Sequence, residues 1–139
     1  MRILGIDFGT KRIGIALSDG LLITAQGQDS IMSKGTALDI AEISRIVKEN
    51  DVTEIVVGLP ISMNGTHSRK TKETLEFVDK LSAAVPLPVK TWDERLTSRQ
   101  AERTLLEADM SRQKRKMLSD KLAAQLILQS YLDCRKKGQ

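Results

Sequence analysis

Histidine and cysteine are almost missing from this sequence: His67 and Cys134 each stand alone in 139 residues. A lone histidine excludes a histidine-cluster zinc site. A lone cysteine excludes a disulfide framework and a cysteine-rich metal centre. Aromatic residues make up only 3% of the chain, so its core must be aliphatic. No apolar run approaches the roughly 20 residues that cross a bilayer, and no signal-peptide pattern opens the chain. These absences point to a cytoplasmic protein with no membrane partner, built as one domain over residues 1–139.

What remains is ordinary in amount and uneven in placement. The net charge is +4. Residues 1–92 carry eleven basic and eleven acidic side chains, whereas residues 93–139 carry eleven basic and seven acidic. The excess is densest at Arg112-Gln113-Lys114-Arg115-Lys116. Such a cluster is either a solvated helix face or a surface that attracts phosphate backbones.

The chain is organised around Met1–Asp19, MRILGIDFGTKRIGIALSD. Ile3, Leu4, Ile6 and Phe8 place apolar side chains at both parities, which suits a strand covered on both faces. Asp7 interrupts this run where packing alone would favour Val or Ile. Gly5 and Gly9 flank it, and the missing side chains would let a ligand approach the backbone. Gly9-Thr10-Lys11-Arg12 signals a turn, and Ile13–Leu17 a second strand returning beside the first. Asp7 is either part of a site or the strand's last residue reaching for a neighbouring amide.

Further along, Leu21–Gln28 is expected as a third strand, and Thr36–Glu49 as an amphipathic helix stopped by Asn50-Asp51. Thr53–Gly58 is a fourth strand, Leu59–Ser68 a loop, and Arg69–Ala84 a helix ended by Pro86 and Pro88. Val89–Trp92 is a fifth strand. Helices over Thr97–Ala108, capped by Thr97 or Ser98, and over Met117–Asp133 close the chain. The order β-β-β-α-β-α-β-α-α predicts an α/β fold with a five-stranded mixed sheet and helices on both faces. Strands one, four and five would run parallel and end at one rim, where ligands bind in open α/β sheets. Asp7, the Leu59 loop and Glu94 all fall on that rim.

Asp120 shares a helix stripe with Met117, Ala123, Ala124, Ile127 and Tyr131. An acid within an apolar stripe costs stability unless it is paired or binds metal. An i+4 salt bridge or a contact with the helix N-terminus would serve equally. Asp7, Glu94 and Asp120 together would be three carboxylates that repel unless a cation separates them. All-oxygen ligation selects Mg²⁺ or Mn²⁺ over zinc. Paired ions of this kind serve in-line phosphodiester cleavage.

The stretches GIDFGTKRIGIALSD, VVGLPISMNGT, WDERLTS and SDKLAAQLILQSYLD resemble those of the YqgF (RuvX) family. This family is grouped with the RNase H-like, RuvC-resolvase-like nucleases, and its members are described as pre-16S ribosomal RNA nucleases and as Holliday-junction-resolvase homologues. The resemblance spans nearly the whole chain. It implies an RNase H-like fold, Asp7, Glu94 and Asp120 as catalytic, metal-binding acids, and Asp93 as their supporting acid. It leaves the substrate open between structured RNA, such as precursor rRNA on the ribosomal small subunit, and branched DNA. It also leaves open whether the protein is a monomer or a homodimer.

Other side chains have two readings each. Thr10, Lys11 and Arg12 contact phosphate or merely form a turn, and Asn64 with Gly65 turns the chain or touches substrate as well. Arg95 holds a phosphate or pairs with a nearby acid, and Trp92 reads as core rather than as a stacking platform. Arg112, Lys114, Arg115 and Lys116 would lead a strand towards Asp120. Besides a nuclease, two other classes fit parts of the sequence. Asp7-x-Gly9-Thr10 also opens the phosphate loop of sugar kinases and Hsp70-type ATPases, which need two such lobes. A non-catalytic RNA-binding or ribosome-assembly module would share the same basic face.

Overall fold

A computed structural model describes residues 1–62, 64–97 and 112–137, with the side chains of the final helix described from residue 121 to 135. The strands are β1 (Arg2–Asp7), β2 (Arg12–Ser18), β3 (Ala25–Met32), β4 (Val52–Leu59) and β5 (Val89–Asp93). The helices are α1 (Thr36–Glu49), α2 (Arg69–Ala84) and α3 (Arg112–Lys137), with a 3₁₀ turn at Glu94–Leu96. The sheet runs β3-β2-β1-β4-β5. β1 to β3 form the antiparallel meander, while β1, β4 and β5 are parallel.

Alternation along β1 divides two apolar layers. Leu4 and Ile6 join Ile43 and Val47 of α1 and Phe77, Val78 and Leu81 of α2. Ile3 joins Val56 and, from α3, Ala124, Ile127, Leu128 and Leu132. Burial on both faces accounts for strands apolar at both parities. The stripe expected on α3 is buried at Ala124, Ile127 and Tyr131, with Leu128 and Leu132 beside it.

Three expectations differ from the structure. β3 begins at Ala25, not Leu21, because Asp19 organises a longer loop: its Oδ1 accepts from the backbone amides of Ile23 at 2.7 Å and Thr24 at 3.0 Å. Leu22 turns with φ 59°, and Leu21 is 78% exposed. α3 begins five residues before Met117, because Arg112–Lys116 are good helix formers with no breaker among them. It also runs four residues past Asp133, and Gly138 lies just beyond its end. Gly5 does not open the backbone to a ligand. A Cβ there would stand 2.8 Å from Leu128 Cβ, so the position serves the approach of α3. Gly9 likewise lies 2.5 Å, on the same measure, from the Arg12 carbonyl within the β1–β2 turn. The helix expected over Thr97–Ala108 lies, apart from Thr97, outside the described residues.

Candidate active site

Parallel pairing brings the ends of β1, β4 and β5 to one rim, with Leu59 opposite Asp93 and Ile6 opposite Val57. Asp7 closes β1, and Glu94 opens the 3₁₀ turn directly after β5. Across β4, which separates their strands, the two carboxyls meet. Burial and the adjacent Asp7 charge raise Glu94 from 4.5 to about 7, and its retained proton is shared in a hydrogen bond with Asp7. Lys70 opposes this shift, and Asp93 adds to it more weakly. Gly58 makes the meeting possible, because a Cβ there would lie 3.0 Å from Glu94 Oε1 and closer still to Ile127 Cδ1.

Asp93 is occupied differently. Its carboxylate accepts from the Arg95 backbone amide at 2.9 Å and from the Arg95 guanidinium, Nη2 at 2.7 Å. The hydrogen bond to Arg95 holds Asp93 below the usual carboxylate range. Asp93 therefore caps the 3₁₀ turn that presents Glu94, and Arg95 takes the acid-pairing reading. Asn64 organises a turn: its Oδ1 accepts from the Ser62 hydroxyl at 2.7 Å and from the Thr66 amide at 3.1 Å. Trp92 packs half-buried against the core, edge-on to Tyr131 at 5.5 Å, with its indole N–H donating to Ser130 Oγ.

Thr10, Lys11 and Arg12 line one wall of a cleft of about 540 Å³. Arg69, Lys70 and Glu73 from the first turns of α2 line the opposite wall, with Phe8 and Gly9 between. Arg69 and Lys70 are additions to the candidates read from sequence. Their signal was position: they follow the Leu59 loop, so they begin a helix at the same rim. Ser68 and Thr71 cap each other's backbone, and the buried Thr71 hydroxyl also donates to the Pro60 carbonyl, which ties this helix start to the rim.

Residue 120 belongs to α3, which runs antiparallel to β4: Tyr131 bonds to Glu54 near the strand's start and Ile127 touches Gly58 near its end. The helix backbone at residue 120 therefore lies towards the rim of Asp7 and Glu94. The side chains of Asp120, Arg112, Lys114, Arg115 and Lys116 lie outside the described residues. Among the described residues no group of three or more acids, histidines or cysteines could hold a metal ion.

The sequence model of the RuvX family, described as Holliday junction resolvase, matches residues 1–134. The chain belongs to the RuvX family. A relative from Syntrophomonas wolfei, named "Putative pre-16S rRNA nuclease", is 53% identical over 133 residues, which cover 96% of this chain and 94% of the relative. One of the same name from Halothermothrix orenii is 47% identical over 137 residues, or 99% and 98% of the two chains. Among solved structures, RuvC of T. thermophilus in complex with a Holliday junction substrate superposes with TM-score 0.61 at 16% identity, covering 99% of this chain and 96% of that one. The fowlpox virus Holliday junction resolvase follows with TM-score 0.53 at 15% identity, covering 96% and 99%. At those identities the likeness is one of fold. It gives this RuvX member the RuvC-like, RNase H-like architecture that the four sequence stretches implied. No helix among its described residues is long and apolar enough to cross a membrane.

Proposed function

We propose that this RuvX member is a divalent-metal-dependent nuclease that hydrolyses phosphodiester bonds of structured nucleic acid. The observation that carries this reading is the Asp7–Glu94 pair at the ends of two parallel strands, with a basic cleft beside it. The names of relatives about 50% identical favour the ends of precursor 16S rRNA as substrate. A second reading, cleavage of branched DNA, is favoured by the family description and the RuvC-like fold.

The donor set fits a hard cation. Two carboxyls brought so close that one keeps its proton near neutral pH would both ionise around Mg²⁺ or Mn²⁺. Asp7 and Glu94 would hold the metal, with Asp120 as the third acid of the set that the resemblance implies. When bound, the metal supplies an activated water and charge stabilisation at the phosphorus, as paired ions do in nucleases. The chain's own groups do the rest. Asp93, held by Arg95, fixes the backbone that presents Glu94. Lys11, Arg12 and Lys70 draw the phosphate chain to the rim, and Thr10 adds a hydroxyl donor. The basic run Arg112–Lys116 leads into the helix of Asp120. Residues 1–139 act as one domain in the cytoplasm, as a monomer or homodimer, on precursor rRNA of the ribosomal small subunit.

The test is incubation with a precursor rRNA and a junction DNA in Mg²⁺, Mn²⁺ or EDTA. Metal-dependent cleavage should fall roughly a hundredfold or more in Asp7→Asn and Glu94→Gln, and less than tenfold in Asp93→Asn. Cleavage of neither substrate in any metal would retire the activity and leave a non-catalytic RNA-binding module. Full activity of folded Asp7→Asn would retire the site.

A further inference from the structure

The cleft beside the acid pair has a shape and a chemistry that select among nucleic acids. Two walls face each other across it: Lys11 and Arg12 on the β1–β2 turn, and Arg69 and Lys70 on α2. Among the described residues that line it Glu73 is the only carboxylate, and Arg69 Nε donates to it at 3.2 Å, so these residues carry a net charge of about +3. Its volume of about 540 Å³ lies within the range of small-ligand pockets, roughly 300–1,000 Å³. That is room for about a nucleotide or two of one strand. Cations from two elements around one small cleft suit a single phosphodiester chain laid between them. A duplex would instead be met by a broad basic face.

The aromatic inventory sharpens this. Non-specific single-strand binders usually stack bases on exposed aromatic rings. This chain has four aromatic residues, and all are engaged. Phe8, on the cleft floor, is stacked on Phe77 with ring centroids 4.5 Å apart, and Trp92 packs against Tyr131. Phe8 is the one ring among the described residues of the cleft, and Phe77 takes one of its faces, so the grip comes chiefly from the cations on the backbone.

We infer that this cleft binds the unpaired flank of the substrate strand through its phosphates, indifferent to base identity. The protein would then act where structured nucleic acid gives way to single strand. This rests on the nuclease reading only in placing the cut strand at the acids. The cleft itself is tested by binding.

The experiment measures anisotropy of wild-type protein in EDTA with a labelled RNA hairpin that is blunt or carries a four-nucleotide tail of RNA or DNA. Tails of either sugar and of any base should tighten binding about tenfold. The gain should vanish with a methylphosphonate tail, whose backbone is neutral, and in the Lys11→Ala, Arg69→Ala, Lys70→Ala protein. That protein should also lose about 2 from the slope of log affinity against log salt, at roughly 0.7 per contact. Lys80→Ala, an exposed change outside the cleft lining, should keep both. Equal binding of blunt and tailed hairpins, a gain confined to one tail sequence, or a gain that survives the triple substitution would overturn the inference. A protein that prefers tails yet never cleaves retains the cleft and loses the activity. One that cleaves blunt and tailed substrates alike retains the activity and loses the cleft.

Discussion

The two faces of the sheet are built by opposite rules. Towards α1 and α2 the layer is thick: Leu4, Ile6, Ile43, Val57, Phe77 and Leu81 are large and buried. Towards α3 it is thinner at two points, where Gly5 and Gly58 carry no side chain between the sheet and Leu128 or Ile127. The thick face supplies most of the apolar burial that stabilises a domain. The thin face gives up some of that burial and gains proximity. It brings α3 close to β1, which ends in Asp7, and to Gly58 of β4, beside the Glu94 carboxyl. The larger side chains gather on one side of the sheet, and the glycine contact that fits Glu94 into place lies on the other.

That separation can be broken from either side. Ile43→Ala, on the thick face, removes a fully buried side chain and should cost about 2–5 kcal/mol in denaturant unfolding. Cleavage per folded molecule should nonetheless stay within threefold of wild type. Gly58→Ala inverts the pattern. The new methyl would meet Ile127 and Glu94, costing about 1–3 kcal/mol while lowering cleavage more than tenfold. Equal ratios of stability loss to activity loss in the two proteins would erase the distinction between the faces.

A smaller effect sharpens it further. Glu94 titrates near 7 in the folded chain and near 4.5 when unfolded. Between those values the folded state binds more protons, so metal-free stability should fall as pH rises from about 4.5 to 7 and level off above. Water still reaches this half-buried carboxyl, which limits the change to about 1–2 kcal/mol. Thermal melts in EDTA at pH 5 and pH 7.5 measure it. Glu94→Gln should flatten the difference, and an unchanged slope in that protein would place the linkage elsewhere.

Much of this architecture was legible in the sequence, for reasons that differ by element. α1 and α2 have the expected bounds because each is an amphipathic run between clear stops, Gly35 and Asn50 for one, Ser68 and Pro86 for the other. The parallel rim followed from helix–strand alternation, and Asp7 stood out because packing does not favour an acid on an inner strand. β3 was misplaced because Leu21, Leu22 and Ile23 look like strand residues. The bonds from Asp19 that turn them into a loop depend on geometry that composition does not reveal. Gly5 was misread because nothing local says which helix will lie over a strand. Arg69 and Lys70 were passed over because cations at a helix start usually face solvent. Only the folding of α2 back to the β1–β2 turn gives them a shared cleft with Lys11 and Arg12.

The strand order has a consequence for how the two acids are held. β1 is the central strand, paired with β2 as far as Asp7 and with β4 as far as Ile6, so Asp7 is anchored by a strand held on both sides. Among the described residues β5 is an edge strand bonded to β4 alone, and Glu94 sits one residue past its end, on a short turn. Local opening draws on such edges at a small fraction of the global unfolding free energy. One half of the site is therefore a fixed anvil. The other can fray, re-form and adjust on its own while the rest of the protein stays folded.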